Sequence, residues 1–145
     1  MTKPLAGHQV GEQIRNQVPD AVIEASEEWV LIKPESLLAV ANFLKTTPGL
    51  EFDYLNCITG VDYLDYLEVV YHLTSMRHNH GIVLKARCSR ENAEVPSLVG
   101  LWRGADLQER EIYDLLGITF VGHPNLKRIF MWQGFEGHPL RRDYL

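Results

Sequence analysis

The spacing of apolar residues changes period along this chain. Ala21–Ala25 and Trp29–Lys33 are rich in Val, Ile, Trp and Leu, and Ser26-Glu27-Glu28 separates them, which predicts a hairpin over 21–33. Lys33-Pro34 ends its second strand, because the residue before a proline is pushed to extended geometry. The period then becomes helical. Leu37, Val40, Ala41 and Leu44 stand at i, i+3, i+4 and i+7, predicting a helix over about 35–46 that Thr46-Thr47-Pro48-Gly49 stops.

Alternation returns in Glu51–Thr59, Tyr66–Thr74 and Ile82–Cys88. Leu67, Val69, Tyr71 and Leu73 share one face of the second segment, and Ile82, Leu84, Ala86 and Cys88 one face of the third. Short polar turns at Asp62–Asp65 and Met76–His80 predict antiparallel neighbours. Ser89–Glu94 reads as a loop and Pro96–Trp102 as a turn. The last helix is marked by Asp106 as N-cap, Glu109 at the capping-box spacing, an end near Leu116 and Gly117 at C′. The fold class is α+β: a mostly antiparallel sheet with helices on one face, followed by an extended C-terminal arm. The expected divisions are a flexible N-terminal segment at 1–20, the α+β domain at 21–120 and the arm at 121–145.

Composition narrows the function classes. The chain has 145 residues, 46% hydrophobic and 23% charged, the balance of a soluble globular domain with one core. No stretch approaches the roughly 20 apolar residues of a membrane span, and Met1–Gly11 lacks the apolar core of a secretory signal. The net charge of −5 argues against nucleic-acid binding, which leaves a basic footprint. The charge is uneven. From His123 onward, Lys127, Arg128, Arg141 and Arg142 against Glu136 and Asp143 give +2, leaving −7 for the rest. Two cysteines are too few for an iron–sulfur cluster, which takes about four, or for a disulfide scaffold.

Candidate chemistry is sparse. Glu109 and Glu111 lie two apart on a helix and do not face each other, which argues against a paired-carboxylate mechanism. Arg110 and Asp114 are spaced i, i+4 for a surface pair. His78-Asn79-His80 reads as a hairpin turn rather than a metal site. No G-x-G-x-x-G or G-x-S-x-G occurs, and Gly117 to Gly122 is followed by His123 and Pro124 where a P-loop needs Lys and Ser or Thr. The arm holds Ile129, Phe130, Met131, Trp132, Phe135, Leu140 and Tyr144, too apolar for a disordered tail. Its mixture of aromatics and arginines is that of an interface.

Glu109-Arg110-Glu111-Ile112-Tyr113-Asp114-Leu115-Leu116-Gly117-Ile118 resembles the E-R-E-x-Y-D signature of the 30-kDa subunit family of respiratory complex I. Gly122-His123-Pro124, Leu126-Lys127-Arg128-Ile129 and Gly137-His138-Pro139-Leu140-Arg141-Arg142-Asp143-Tyr144 match its further elements. Leu107 departs from the family, where an aromatic is common, and the chain stops at Leu145 where many relatives carry a further tail. The resemblance implies a non-catalytic assembly subunit in the hydrophilic arm of the proton-pumping NADH:quinone oxidoreductase. It would dock on the large subunit of the quinone module, which is related to nickel–iron hydrogenases, and lie near the iron–sulfur subunits. It implies no cofactor on this chain, with FMN and iron–sulfur clusters on partner subunits and NADH and quinone bound by others. It implies a peripheral place on the cytoplasmic side of the cell membrane. The partner-binding residues it implies are Glu109, Arg110, Glu111, Asp114, His123, Lys127, Arg128, His138, Arg141, Arg142, Asp143 and Tyr144, with none catalytic. The alternative is an equivalent scaffold in a related membrane-bound hydrogenase or a ferredoxin- or F420H2-dependent oxidoreductase.

Overall fold

A computed structural model describes residues 2–131 and 136–142. The hairpin forms from β2 (Val22–Ala25) and β3 (Val30–Ile32), paired antiparallel with a bulge between Val22 and Glu24. A 3₁₀ turn at Pro34–Ser36 leads into α2 (Leu37–Thr46), whose buried stripe is Leu37, Val40, Ala41 and Leu44, as the spacing predicts. β4 (Tyr54–Asp62), β5 (Leu67–Ser75) and β6 (His80–Cys88) form an antiparallel meander. The alternation of β5 and β6 sends Leu67, Val69, Tyr71, Leu73, Ile82, Leu84, Ala86 and Cys88 into the core.

The sheet order is β2-β3-β6-β5-β4. β3 runs parallel to β6, pairing Val30, Leu31 and Ile32 with Leu84, Lys85 and Ala86. Further along the same edge of β6 lies β1 (Lys3–Pro4), also parallel, against His80 and Gly81. Three antiparallel pairings against two parallel ones make the sheet mostly antiparallel. One hydrophobic core joins its inner face to the apolar stripes of the helices. The other face carries Val70, His72, Lys85 and Arg87, none of them buried. Glu68 is buried on that side even so, because Arg87 Nε lies 3.0 Å and Lys85 Nζ 3.8 Å from its carboxylate. The two cations in turn lie over the rings of Tyr66 and Trp29.

Three expectations need correction. The segment 1–20 is not loose: it holds β1 and a helix, α1 (Gly7–Gln17), with Val10 and Ile14 fully buried. Gly7 is what admits it, since a Cβ there would lie 2.1 Å from the Ser26 carbonyl oxygen. The loop and turn expected after β6 contain β7 (Glu94–Pro96), which pairs in parallel with β8 (Thr119–Val121) through the crossover helix α3 (Ala105–Leu116). The capping box is absent. Gly104 is the N-cap of α3, and Glu109 turns into the core.

Because α1 contributes to the core, Ile14→Ala is expected to destabilise the chain by about 2–5 kcal/mol. Urea denaturation measures this, and a loss near zero is the outcome of a dispensable N-terminal segment.

Candidate functional site

The signature helix α3 buries Ala105, Glu109, Ile112 and Leu116 along one stripe and Asp114 on another side. Gly60 of β4 lets it come close: a Cβ there would meet Leu116 Cδ1 at 2.4 Å. On the buried stripe, Glu109 accepts the Ser97 hydroxyl at 2.5 Å and the Leu98 N–H at 2.8 Å. Burial pushes its pKa up against those two bonds. Glu109 therefore ties α3 to the segment after β7.

Asp114 is the hub of the other side, with no solvent exposure. Its Oδ1 accepts Arg128 Nε at 2.5 Å. Its Oδ2 accepts three consecutive backbone N–H groups, those of Ile129 at 2.9 Å, Phe130 at 2.5 Å and Met131 at 3.0 Å. Burial raises its pKa, but the Arg128 bond and these backbone donors outweigh it and hold the carboxyl below its ordinary value. The expected surface pair of Arg110 with Asp114 is not made. Arg128 takes the carboxylate from 14 residues away, and Arg110 Nε donates to the Lys127 carbonyl at 3.3 Å.

The last carbonyls of a helix lack partners within it, and here the following chain supplies them. Gly117, left-handed at φ 77°, donates its N–H to the Tyr113 carbonyl. Arg128 Nη2 at 2.8 Å and His138 Nδ1 at 3.1 Å reach the Asp114 carbonyl. Since a carbonyl only accepts, His138 carries its proton on Nδ1. The Leu140 N–H donates to the Leu115 carbonyl at 2.8 Å, and Arg141 Nε to that of Leu116 at 2.6 Å. Arg128 Nη2 also binds the Gly137 carbonyl at 2.8 Å, joining two stretches of tail. Two guanidinium groups thus sit at the negative end of the α3 dipole.

His123 has a fully buried side chain. Its Nδ1 accepts the Asn125 N–H at 2.9 Å, which leaves the proton on Nε2 to be donated to the Asp106 backbone carbonyl at 3.3 Å, with the Asp106 carboxylate 2.9 Å from the same nitrogen. Glu111 and Lys127 are exposed, as is Arg142, whose backbone N–H binds Asp62 Oδ2 at 2.8 Å. Asp143 and Tyr144 lie outside the described residues. Sequence reasoning missed Asp62, which also accepts the Leu64 N–H and a guanidinium N–H of Arg90. Burial opposes its ionisation, but Arg90 and the two backbone donors hold its pKa at about 2. A partner 80 residues away leaves no local pattern to find. Among the described residues, no group of three or more His, Cys, Asp or Glu is placed to hold a metal. None of the described helices is long and apolar enough to cross a membrane.

Asp62 and Asp114 both have folded-state pKa values below their ordinary 3.8. Their stabilisation is therefore complete above that value and is lost as pH falls, for Asp62 through about 2. The protection of the Ile129–Met131 amides, measured against their intrinsic exchange rates at each pH, is expected to stay constant from neutrality to pH 4 and to fall below it. Gly117→Ala is expected to cost about 1 kcal/mol for the left-handed backbone. It should cost more through its Cβ, which would stand 2.6 Å from His138 Cδ2; thermal melting and the His138 ring resonances report both.

Residues 30–145 match the family model described as respiratory-chain NADH dehydrogenase, 30 Kd subunit. The C-type subunit of the NADH-quinone oxidoreductase of Roseiflexus sp. (strain RS-1) is 45% identical over 139 residues, covering 91% of this chain and 80% of the relative. The corresponding C-type subunit, numbered 2, of the NADH-quinone oxidoreductase of Rhizobium meliloti (strain 1021) is 45% identical over 116 residues, covering 78% and 63%. Among solved structures, the trypsin-resistant fragment of Nqo5 superposes with a TM-score of 0.61 at 29% identity, covering 82% of this chain and 98% of the fragment. A chain of the archaeal membrane-bound sulfane sulfur reductase shares the fold, with a TM-score of 0.75 at 22% identity over 95% of this chain and 85% of that one. With four-fifths of its length inside the family model and a relative 45% identical over 91% of it, the chain belongs to the 30-kDa subunit family of respiratory-chain NADH dehydrogenase.

Proposed function

We propose that this chain is a non-catalytic docking subunit in the hydrophilic arm of an NADH:quinone oxidoreductase. It holds the hydrogenase-like large subunit of the quinone module and the iron–sulfur subunits in register, at the cytoplasmic face of the membrane. Electrons, FMN, iron–sulfur clusters, NADH and quinone belong to those partners. One observation carries the reading. The polar groups of the signature are spent on holding the chain's own tail: Asp114, Arg128, His138 and Arg141 all meet within one helix end. Glu109 is likewise spent internally. Such groups shape a surface rather than wait for a substrate. In this reading Glu111, Lys127 and the half-buried Arg110 meet partners directly, while the buried members act by placing the tail. The relatives at 45% identity, all named for NADH-quinone oxidoreductase, favour that machine over a hydrogenase.

The test is affinity recovery of the tagged chain from native membranes, with the co-purifying subunits identified by mass spectrometry. The hydrogenase-like large subunit and iron–sulfur subunits are expected. Arg141→Ala is expected to lower their yield while the complexes that do assemble turn over quinone normally. Recovery of no redox subunit, or full assembly with impaired quinone reduction, overturns the proposal.

A further inference from the structure

We infer that Ile129 and Phe130 form a preset apolar knuckle, the anchor that inserts into an apolar, acid-rimmed socket on a partner subunit. This rests on the docking reading and deepens it. Phe130 is 61% exposed, whereas Phe120, ten residues earlier, is 1% exposed in the core. Ile129 beside it is 39% exposed. A single exposed apolar residue on a flexible tail is ordinary. Here the backbone beneath the two side chains is fixed instead. The N–H groups of Ile129, Phe130 and Met131 converge on one oxygen of the buried Asp114 carboxylate. Arg128, next in the chain, binds the other oxygen and the Asp114 carbonyl. Three successive N–H groups around an anion form a rigid concave nest.

That arrangement commits a buried carboxylate and a largely buried guanidinium to presenting two large apolar groups to solvent. Core packing of those groups does not explain it. A binding anchor does, since ordering a contact loop before binding removes much of the entropy cost of association. Aromatic anchors in apolar sockets dominate interface energies. The charge beside the knuckle selects the rim of the socket. Lys127 is exposed, and Arg110 is held to its carbonyl, 3.3 Å away. The tail carries a net positive charge on an otherwise acidic chain. Carboxylates around the socket would complement it.

The test uses the tagged full-length chain in its native membranes. It quantifies the large and iron–sulfur subunits recovered with the wild type, Phe130→Ser, Lys127→Glu and Asp114→Asn. Phe130→Ser is expected to melt like the wild type and to recover more than about tenfold less partner. Lys127→Glu is expected to reduce recovery more at low salt than at high salt. Asp114→Asn is expected to speed amide exchange at 129–131, with β5 exchange unchanged, and to reduce recovery. Wild-type recovery by Phe130→Ser overturns the knuckle. A salt-independent result for Lys127→Glu overturns the acidic rim. Undiminished recovery by Asp114→Asn despite fast exchange at 129–131 overturns the preset geometry. A wild-type chain that recovers no redox subunit defeats the docking reading itself, a result distinct from these three.

Discussion

The C-terminal end of α3 is the constraint on which the rest of the site depends. A helix that stops inside a protein leaves carbonyls that must find donors. Gly117 turns the chain back in a left-handed conformation, and the residues after it return to the carbonyls they have just left. Leu140 and Arg141 serve Leu115 and Leu116, and Arg128 and His138 serve Asp114. Helix termination, tail placement and the exposure of Ile129 and Phe130 are therefore one structural event. The arginines are stabilised twice, by hydrogen bonds and by the helix dipole. That is why a tail without helix or strand over 122–131 and 136–142 still has defined contacts.

Local periodicity made much of the α+β domain legible. The hairpin, α2 and the faces of β5 and β6 follow from apolar spacing alone, and Gly117 from its place after the last apolar residue of α3. The misses share a physical cause. α1 buries only Val10, Ile14 and two glycines, so its contact face has no large apolar stripe to read. Gly11 has the Ala25 Cβ 3.0 Å from where its own would stand, so smallness rather than hydrophobicity shapes that face. β7 and β8 are three residues each, and their pairing is parallel across a helix. Nothing local announces such a crossover.

The charged residues were legible as a group but not as pairs. Arg110 and Asp114 have ideal helical spacing, yet an exposed pair of that kind contributes only about 0.3–0.5 kcal/mol. A nearly enclosed guanidinium and three backbone donors offer Asp114 far more, and the helix gives up the local pair. Asp62 shows the same hierarchy, drawing Arg90 and the Arg142 N–H from distant parts of the chain. The basic tail, read from composition as a surface for partners, divides accordingly. Arg128 and Arg141 look inward, and Lys127 looks out.

Two carboxyls on one helix with opposite pKa shifts would ordinarily invite an acid–base assignment. Glu109 is pushed up and Asp114 is held down. Their neighbours account for both. Glu109 lies in the core with a hydroxyl and a single backbone N–H, too little to offset the loss of water. Asp114 is as buried by solvent exposure but meets a cation and three N–H groups, which more than offset it. Glu109 lies deeper in the core and has fewer donors, Asp114 lies nearer the surface of the fold and has more, and the two differences together give opposite shifts. Each carboxyl also faces a different structural duty, one fixing α3 to the segment after β7 and the other fixing the tail to α3. The signature thus reads as a joint: its acidic residues on one helix hold two separate stretches of chain in place.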